Sequence, residues 1–494
     1  MKKVFLSSIF VSIALLLGRI SGLIRELFIA SHYGASVNSD LIVILFTLPD
    51  LLITLLVGGA LSMVIVPELK EHTESSGRSF YLQFLYFSFF VFLLFSIIAA
   101  LFSKKLLFLF APGLSLDALH TGASFLKITL FSIPFTVAAG VTVAYLNHKN
   151  KFITPALGTL IFNIILIIAL AIANRIEAPF FFYFLSGGVL VASLFRWLIL
   201  LYNDNFFLFK RGMFGERLLE IQLLKRYLYA VISSGLIFLI PVALRSTATH
   251  HGPGFLSIIN YSLKLIDLPL GVCITVFSIV FLPTLSAFYV QKDKENFTNL
   301  VWDALRVLVF ISSFITLAIF FFSYQFTHLL FSHSALLPKD IQLIANLLQI
   351  ASFSIIFQGI NSFLISVLAA RKDTTSPLMI TSFLVIIFIA ICYKYNLPLE
   401  TLFYVMNFCH MLITFSLILI LLFLHKVPFL WTPSHLNSYL IASVYLGLNG
   451  AAFFYIKTLQ VPNILTIVYT ALLGTSTLAL WYYTDPRINK FFKK

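Results

Sequence analysis

Charge is scarce in this chain. Asp, Glu, Lys and Arg make up 11% of its 494 residues, against about 25% in ordinary soluble domains. That shortage excludes a water-soluble globular protein, because too little polar side chain exists to cover a hydrated surface. Polar sequence is also short in extent: the longest such stretch lies near 203–221, too short for a soluble domain. Cysteine occurs only at positions 273, 392 and 409. Those spacings fit neither a metal nor a redox motif, and Cys273, Cys392 and Cys409 read as small apolar packing residues. No glycine-rich phosphate loop occurs, which argues against an ATP-driven pump. Neither a nucleophile–base pair nor a metal-ligating cluster stands out, so no enzyme chemistry, cofactor or metal is expected, and His250–His251 reads as solvated loop.

Apolar residues fill the space that charge leaves. They make up 60% of the chain, and mean hydropathy is +1.00. Fourteen hydrophobic runs can be traced, near 4–30, 37–66, 80–102, 121–146, 152–173, 178–202, 222–246, 255–283, 302–323, 341–370, 376–395, 399–425, 436–457 and 464–484. A bilayer is crossed by about 20 apolar residues. It also forces each crossing to be helical, because lipid cannot satisfy backbone N–H and C=O groups. The expected fold is an all-α polytopic membrane protein of about 14 spans. The net charge of +14 does not point to nucleic acid, because the basic residues sort by side. With the N-terminus inside, outer loops hold only Lys104, Lys105, Arg175, Lys339, Lys394 and Lys457, and roughly three times as many fall on the inner side. Both termini are therefore expected in the cytoplasm. The first run is too long, and too charged internally, for a cleaved signal peptide.

Two halves of the chain echo one another. "SMVIVPEL" (62–69) and "SIVFLPTL" (278–285) share Ser-x4-Pro-x-Leu, and "KNKFITP" (149–155) matches "RKDTTSP" (371–377). Offsets of about 220 residues imply six spans per copy. An even number keeps both copies in one orientation, related by an axis along the membrane normal. The expected organisation is 1–220 as an N-terminal six-helix lobe with a cytoplasmic linker, 221–425 as a second six-helix lobe, and 426–494 as two additional helices.

The stretch "GRISGLIREL" (18–27) places Arg19, Arg25 and Glu26 inside the first apolar run. An intramembrane charge costs roughly 2.5–3.5 kcal/mol on insertion scales, so it should face protein or water. At about 100° per residue, Arg19, Gly22, Arg25 and Glu26 share a stripe about 120° wide. Gly18 and Gly22 form a small-xxx-small pair that permits close helix approach. More charges follow in other runs: Asp40 and Asp50 in the second, Lys127 in the fourth, Lys264 and Asp267 in the eighth. Arg19, Arg25, Lys264 and Lys127, with the acids Glu26, Asp40 and Asp267, are the candidate ligand-binding residues. Pro49 and Pro269 are the candidate hinges. A cavity lined by cations from both halves would take an anion. Arg fits phosphate oxygens with a planar fork and Lys acts as a point charge, so a pyrophosphate is the natural ligand. The competing reading is that Arg25 and Glu26 only pair with neighbours and hold helices together. Arg196 and Arg306 are expected to snorkel from helix ends. Asn163, Gln358, Asn361 and Asn407 are expected to be interhelical hydrogen bonders.

"GRISGLIRELFIASHYGASVNSDLIVILFTLPDLL" (18–52) closely resembles the first two spans of the MurJ/MviN family. Further ordered matches are "GALSMVIVP" (59–67), "APGL" (111–114), "LKIT" (126–129), "YSLKLIDLPLGV" (261–272) and "RKDTTSP" (371–377). The resemblance implies a flippase for lipid II, the undecaprenyl-diphosphate-linked peptidoglycan precursor, in the bacterial inner membrane. It also implies the fold of the multidrug/oligosaccharidyl-lipid/polysaccharide exporter superfamily: two six-helix lobes, an inward-open cavity and two extra helices forming a lipid-facing groove. By position, Arg19, Arg25 and Lys264 would form the diphosphate site. Membrane lipid and cell-wall synthesis proteins are the partners it points to. The chain departs from the family at Ile53 and Thr54, where relatives commonly carry basic residues, and at Gly58, where an acid is common. Three rivals stay open: a flippase for another polyprenyl-diphosphate-linked oligosaccharide, a cation-coupled multidrug exporter, and a non-transporting scaffold.

Overall fold

The computed structural model describes residues 2–56, 68–69, 74–149, 151–177, 180–203, 236–271, 275–430, 432–459 and 461–493. Gly58, Pro67, Cys273, most of the 203–221 stretch and the side chains of Asp50, Ile53, Thr54 and Pro283 lie outside the described residues. Helix is the only regular secondary structure among those described, and ten helices there are long and apolar enough to cross a membrane. The chain divides into two compact units, Met1–Asn260 and Tyr261–Lys494.

The first unit holds α1 (Lys2–Tyr33), α2 (Val37–Leu56), α3 (Glu74–Leu101), α4 (Ser103–Phe110), α5 (Leu116–Leu130), α6 (Ser132–His148), α7 (Ile153–Ala173), α8 (Phe180–Tyr202) and α9 (Leu239–Ala248). Its last residues begin α10 (Phe255–Pro269). Helix α1 lies along α7. Gly18 makes this possible: a Cβ there would stand 3.2 Å from Thr159 Cβ, and one at Gly22 would stand 3.5 Å from Asn163 Nδ2. The small pair legible in the sequence is thus the α1–α7 seam. Residues 239–260 also belong to this unit, because polar contacts fix them there. The loop after α4 donates the Gly113 N–H to Thr249 Oγ1 at 2.9 Å, and a Cβ on Gly113 would fall 2.2 Å from the Thr249 carbonyl carbon. Gly113→Ala should therefore lower stability by at least ~2 kcal/mol, the scale of forced repacking at a site that cannot yield. Thermal unfolding of the purified variant measures this, and an unchanged midpoint would show that the loop shifts freely.

The second unit continues α10 and adds α11 (Thr275–Val290), α12 (Lys294–Phe331), α13 (Pro338–Ala351), α14 (Phe353–Ala370), α15 (Thr375–Lys394), α16 (Leu399–Leu419), α17 (Pro433–Thr458), α18 (Asn463–Thr484) and α19 (Pro486–Lys493). The repeat is visible in where helices start. Val37, Glu74, Leu116, Ile153 and Phe180 open helices in the first half; Phe255, Lys294, Pro338, Thr375 and Leu399 open their counterparts about 220 residues later. It extends to a detail. Helices α5 and α6 follow one another with a break at Phe131, and α13 and α14 with a break at Ser352. A break frees carbonyls that lipid cannot satisfy. In the first unit Ser96 Oγ of α3 donates to Leu130 O at 3.0 Å. In the second, Thr316 Oγ1 of α12 donates to Ser352 O at 3.0 Å. Equivalent hydroxyls repair equivalent breaks.

Helices α17 and α18 pack on α12, where Phe310 stacks on Trp481 with ring centroids 4.0 Å apart. Arg306 corrects an expectation here. It does not snorkel: it is buried, donates to Ser438 Oγ at 2.9 Å, meets His435 Nδ1 at 2.6 Å and pairs with Asp303 at 3.3 Å. Ser438 in turn donates to Asp485, and Arg487 of α19 reaches Asp303 at 3.2 Å. The last two apolar helices are held to α12 by this buried polar network as well as by apolar packing.

Candidate functional site

The polar stripe of α1 is built as the helical wheel requires. Arg25 and Glu26 are both buried, and Arg25 Nη2 lies 2.7 Å from Glu26 Oε1. Arg25 Nη1 donates to Asn163 Oδ1 at 3.1 Å. The Asn163 amide, on α7, donates back to Gly18 O at 3.1 Å and Ser21 Oγ at 3.2 Å. The guanidinium also sits over the Phe46 ring of α2, 5.2 Å from its centroid. On the other side, Glu26 Oε2 accepts from Asn260 Nδ2 at 2.8 Å, and Asn260 Oδ1 accepts from Arg245 Nε at 3.1 Å. A continuous polar relay thus runs from Ser21 through Asn163, Arg25, Glu26 and Asn260 to Arg245. Burial in low dielectric strengthens each of these bonds and makes each unmade partner expensive.

Asp40 is a second node. Its carboxylate is buried and accepts from the Gly254 N–H at 2.7 Å, the Ser257 N–H at 2.8 Å and Ser257 Oγ at 2.7 Å. The first N–H groups of a helix have no partner within it, and a carboxylate at that end also meets the positive pole of the helix dipole. Asp40 of α2 therefore caps the N-terminus of α10. Gly254 permits the approach. Its φ is +86°, and a Cβ there would stand 2.4 Å from the Ala35 carbonyl carbon.

The other expected residues are placed differently. Arg19 is exposed on α1, and Lys127 is exposed on α5, outside the relay. Lys264 Nζ lies 3.6 Å from Asp267 Oδ2 on α10, with side-chain exposures of 29% and 53%. Pro49 is buried within α2, and Pro269 is the last residue of α10. The structure thus brings Arg25 and Glu26 together, gives Asp40 its own partners, and leaves Arg19, Lys127 and the Lys264–Asp267 pair accessible.

Asn163 is an interhelical bonder, as expected; Asn361 and Asn407 are too, donating to His410 O and Ile350 O. Gln358 instead donates to Ser354 within its own helix. Missed were Arg245, Gly254, Ser257 and Asn260. The signal available for Asn260 and Arg245 was their polarity inside apolar runs; nothing in the sequence pairs Asp40 with residues 254–257. Among the described residues no group of three His, Cys, Asp or Glu side chains forms a metal site.

A family model described as lipid II flippase MurJ matches residues 29–483. The chain is 26% identical over 476 residues to a probable lipid II flippase MurJ of Aquifex aeolicus, covering 90% of this chain and 88% of that protein. It is 28% identical over 400 residues to the lipid II flippase MurJ of Burkholderia cenocepacia, covering 74% and 73%. Among solved structures, a lipid II flippase MurJ in an inward closed conformation superposes with a TM-score of 0.81 at 21% identity, covering 96% of this chain and 99% of that one. An inward-facing multidrug resistance MATE transporter of the MOP superfamily superposes with a TM-score of 0.62 at 14% identity, over 84% and 94%.

Proposed function

As the chain belongs to the lipid II flippase MurJ family, we propose that it carries the lipid-linked peptidoglycan precursor across the bacterial inner membrane by alternating access, with both termini in the cytoplasm. In this reading the lobes follow the sequence repeat, 1–220 and 221–425, with 426–494 appended, and residues 239–260, which pack within the first compact unit, are the part of the second repeat fastened to the first. The cargo's diphosphate is assigned to Arg19 and Arg25 of α1 and Lys264 of α10, with Lys127 as a further cation. Pro49 and Pro269 are the bending points. The step is a movement of a headgroup, and the isoprenoid tail stays in lipid throughout.

The observation that carries this reading is the polar fastening of residues 254–260 to α1 and α2, through Asp40 and Glu26. By the bias of basic residues, 254–257 lie at the outward side. A seam made of hydrogen bonds can exchange its partners for water when it opens, whereas a fully apolar seam would expose grease. That is the chemistry an outward gate needs. The multidrug-exporter alternative would favour carboxylates and aromatics for cationic drugs; here the accessible cations Arg19, Lys127 and Lys264 favour an anion. A flippase for a different polyprenyl-diphosphate-linked oligosaccharide keeps one supporting observation, the uncharged Ile53 and Thr54.

Two experiments test the proposal. Growth of a strain depleted of its own lipid II flippase, rescued by this chain, is the expected result; failure of a correctly inserted chain to rescue would favour the oligosaccharide alternative. For orientation, a cysteine replacing exposed Lys339 should react with an impermeant thiol reagent added outside. One replacing exposed Lys372 should react only after permeabilisation. The reverse pattern would overturn the topology.

A further inference from the structure

The second unit contains a cavity of about 890 Å³ whose lining includes neither a residue of α1 nor Lys264. It is formed by the turn between α11 and α12, the turn after α14, the segment following α16, and Arg487 of α19. All these segments fall on the side assigned to the cytoplasm by the distribution of basic residues.

Its lining is unusually basic for a chain with so little charge. Lys292, Lys294, Arg371, Lys426 and Arg487 face it, against two carboxylates, Asp293 and Glu295. Some of these groups are already engaged. Asp293 accepts from the Asn296 N–H and side-chain amide at the start of α12. Arg487 is paired with Asp303, and His425, also in the lining, is held by Asp373 at 2.7 Å. Among the described residues, no carboxylate lies within ion-pair distance of Lys292, Lys294, Arg371 or Lys426. The Arg371 guanidinium is fixed in place over the rings of Tyr289 and Phe297, 5.7 and 5.5 Å from their centroids.

The backbone supplies an independent observation. Lys292, Lys372 and Lys426 have φ values of 56°, 63° and 51°, in the left-handed region. Each follows a helix end: the Asp293 N–H bonds to Phe288 O, the Asp373 N–H to Leu368 O, and the Val427 N–H to Leu421 O. Glycine is the ordinary residue at such a position, and a side chain there costs about 1–2 kcal/mol. A cation near a helix C-terminus recovers only about 0.3–1 kcal/mol from the dipole. Two of these strained lysines line the cavity, and the third is the neighbour of Arg371.

Exposed apolar side chains adjoin the lining in sequence. Val290, Phe423 and Leu424, each within two residues of a lining residue, are 73%, 75% and 62% exposed. A ligand that places an anionic phosphate against four cations and an acyl chain against these residues satisfies both faces. We propose that this cavity binds the headgroup of an anionic phospholipid from the adjoining leaflet, separately from the cargo. Basic pockets between spans at the cytoplasmic side are suited to such headgroups.

The test uses the purified, delipidated full chain in detergent. Its ligands are dioctanoyl phosphatidylglycerol, dioctanoyl phosphatidylcholine and glycerol phosphate, with affinity read by native mass spectrometry and melting temperature. Phosphatidylglycerol should bind at least tenfold tighter than phosphatidylcholine, and glycerol phosphate, which lacks the chains, should give no shift at the same concentration. The decisive variant is Lys292→Gly with Lys426→Gly, because glycine relieves the left-handed strain. It should melt at or above the parent temperature without ligand, yet bind phosphatidylglycerol at least tenfold more weakly, the scale of a lost charge-assisted contact. Arg371→Gln should weaken binding likewise, and Lys339→Gln should not. Equal binding of the two lipids, an equal shift with glycerol phosphate, or unchanged affinity in the double glycine variant would each overturn the proposal.

Discussion

Arg25→Ala abolishes rescue of a flippase-depleted strain: that is the largest functional effect expected of any single change in this chain. Two physical causes converge on it. The first is structural, because Glu26 is buried and Arg25 is its ion-pair partner at 2.7 Å. Removing one member of a buried pair leaves an uncompensated charge and typically costs about 3–5 kcal/mol. The second is the proposed role of the guanidinium in holding the cargo's diphosphate. A double variant separates them. Arg25→Leu with Glu26→Gln removes both charges, keeps an acceptor for the Asn260 amide, and should recover the melting temperature and insertion. If Arg25 binds cargo, this folded double variant still fails to support growth. Full growth would reduce Arg25 to a strut between α1 and α7 and remove it from the proposed diphosphate site. Arg19→Ala, at an exposed position, should impair growth with little change in stability.

The second large effect is at Asp40. Asp40→Ala strips a buried acceptor from two backbone N–H groups and one hydroxyl at the start of α10. Each buried donor left without a partner costs about 1–3 kcal/mol. Water can enter and recover part of this, so a net loss of about 2–4 kcal/mol is expected at the seam. In hydrogen exchange, that corresponds to protection of the 254–258 amides falling by roughly thirty- to a thousandfold, with helices α17 and α18 unaffected. Asp40→Asn, which keeps one acceptor oxygen, should fall between. If protection at 254–258 is unchanged in Asp40→Ala, the carboxylate is not what fastens the start of α10 to α2, and the proposed outward gate loses the contact on which it rests.

Composition was enough for the fold class. With 11% charge and runs of about 20 apolar residues, the bilayer admits only helices, and the helix starts recur at the interval read from "SMVIVPEL" and "SIVFLPTL". The wheel of α1 also sufficed to put Arg25 and Glu26 on one face, because helical periodicity is a local property. It could equally show that Gly18 and Gly22 mark a seam, though not that α7 lies across it.

Tertiary structure decided the partners. Arg306 and Arg196 look alike in sequence, as arginines near helix ends, yet Arg196 is half-buried and Arg306 fully buried among Asp303, His435 and Ser438, contacts that run to α17. Asp40 and Gly254 stand 214 residues apart, and no periodicity links them. The strain at Lys292 and Lys426 is equally invisible in one dimension, since a lysine near a helix end reads as an ordinary solvated charge. The physical reason is common to all three. Membership of a helix and the face it presents follow from short-range spacing and the solvent. Which polar groups satisfy one another depends on helices brought together from distant parts of the chain, where desolvation makes every unpartnered group costly and so selects the arrangement in which each has found its match.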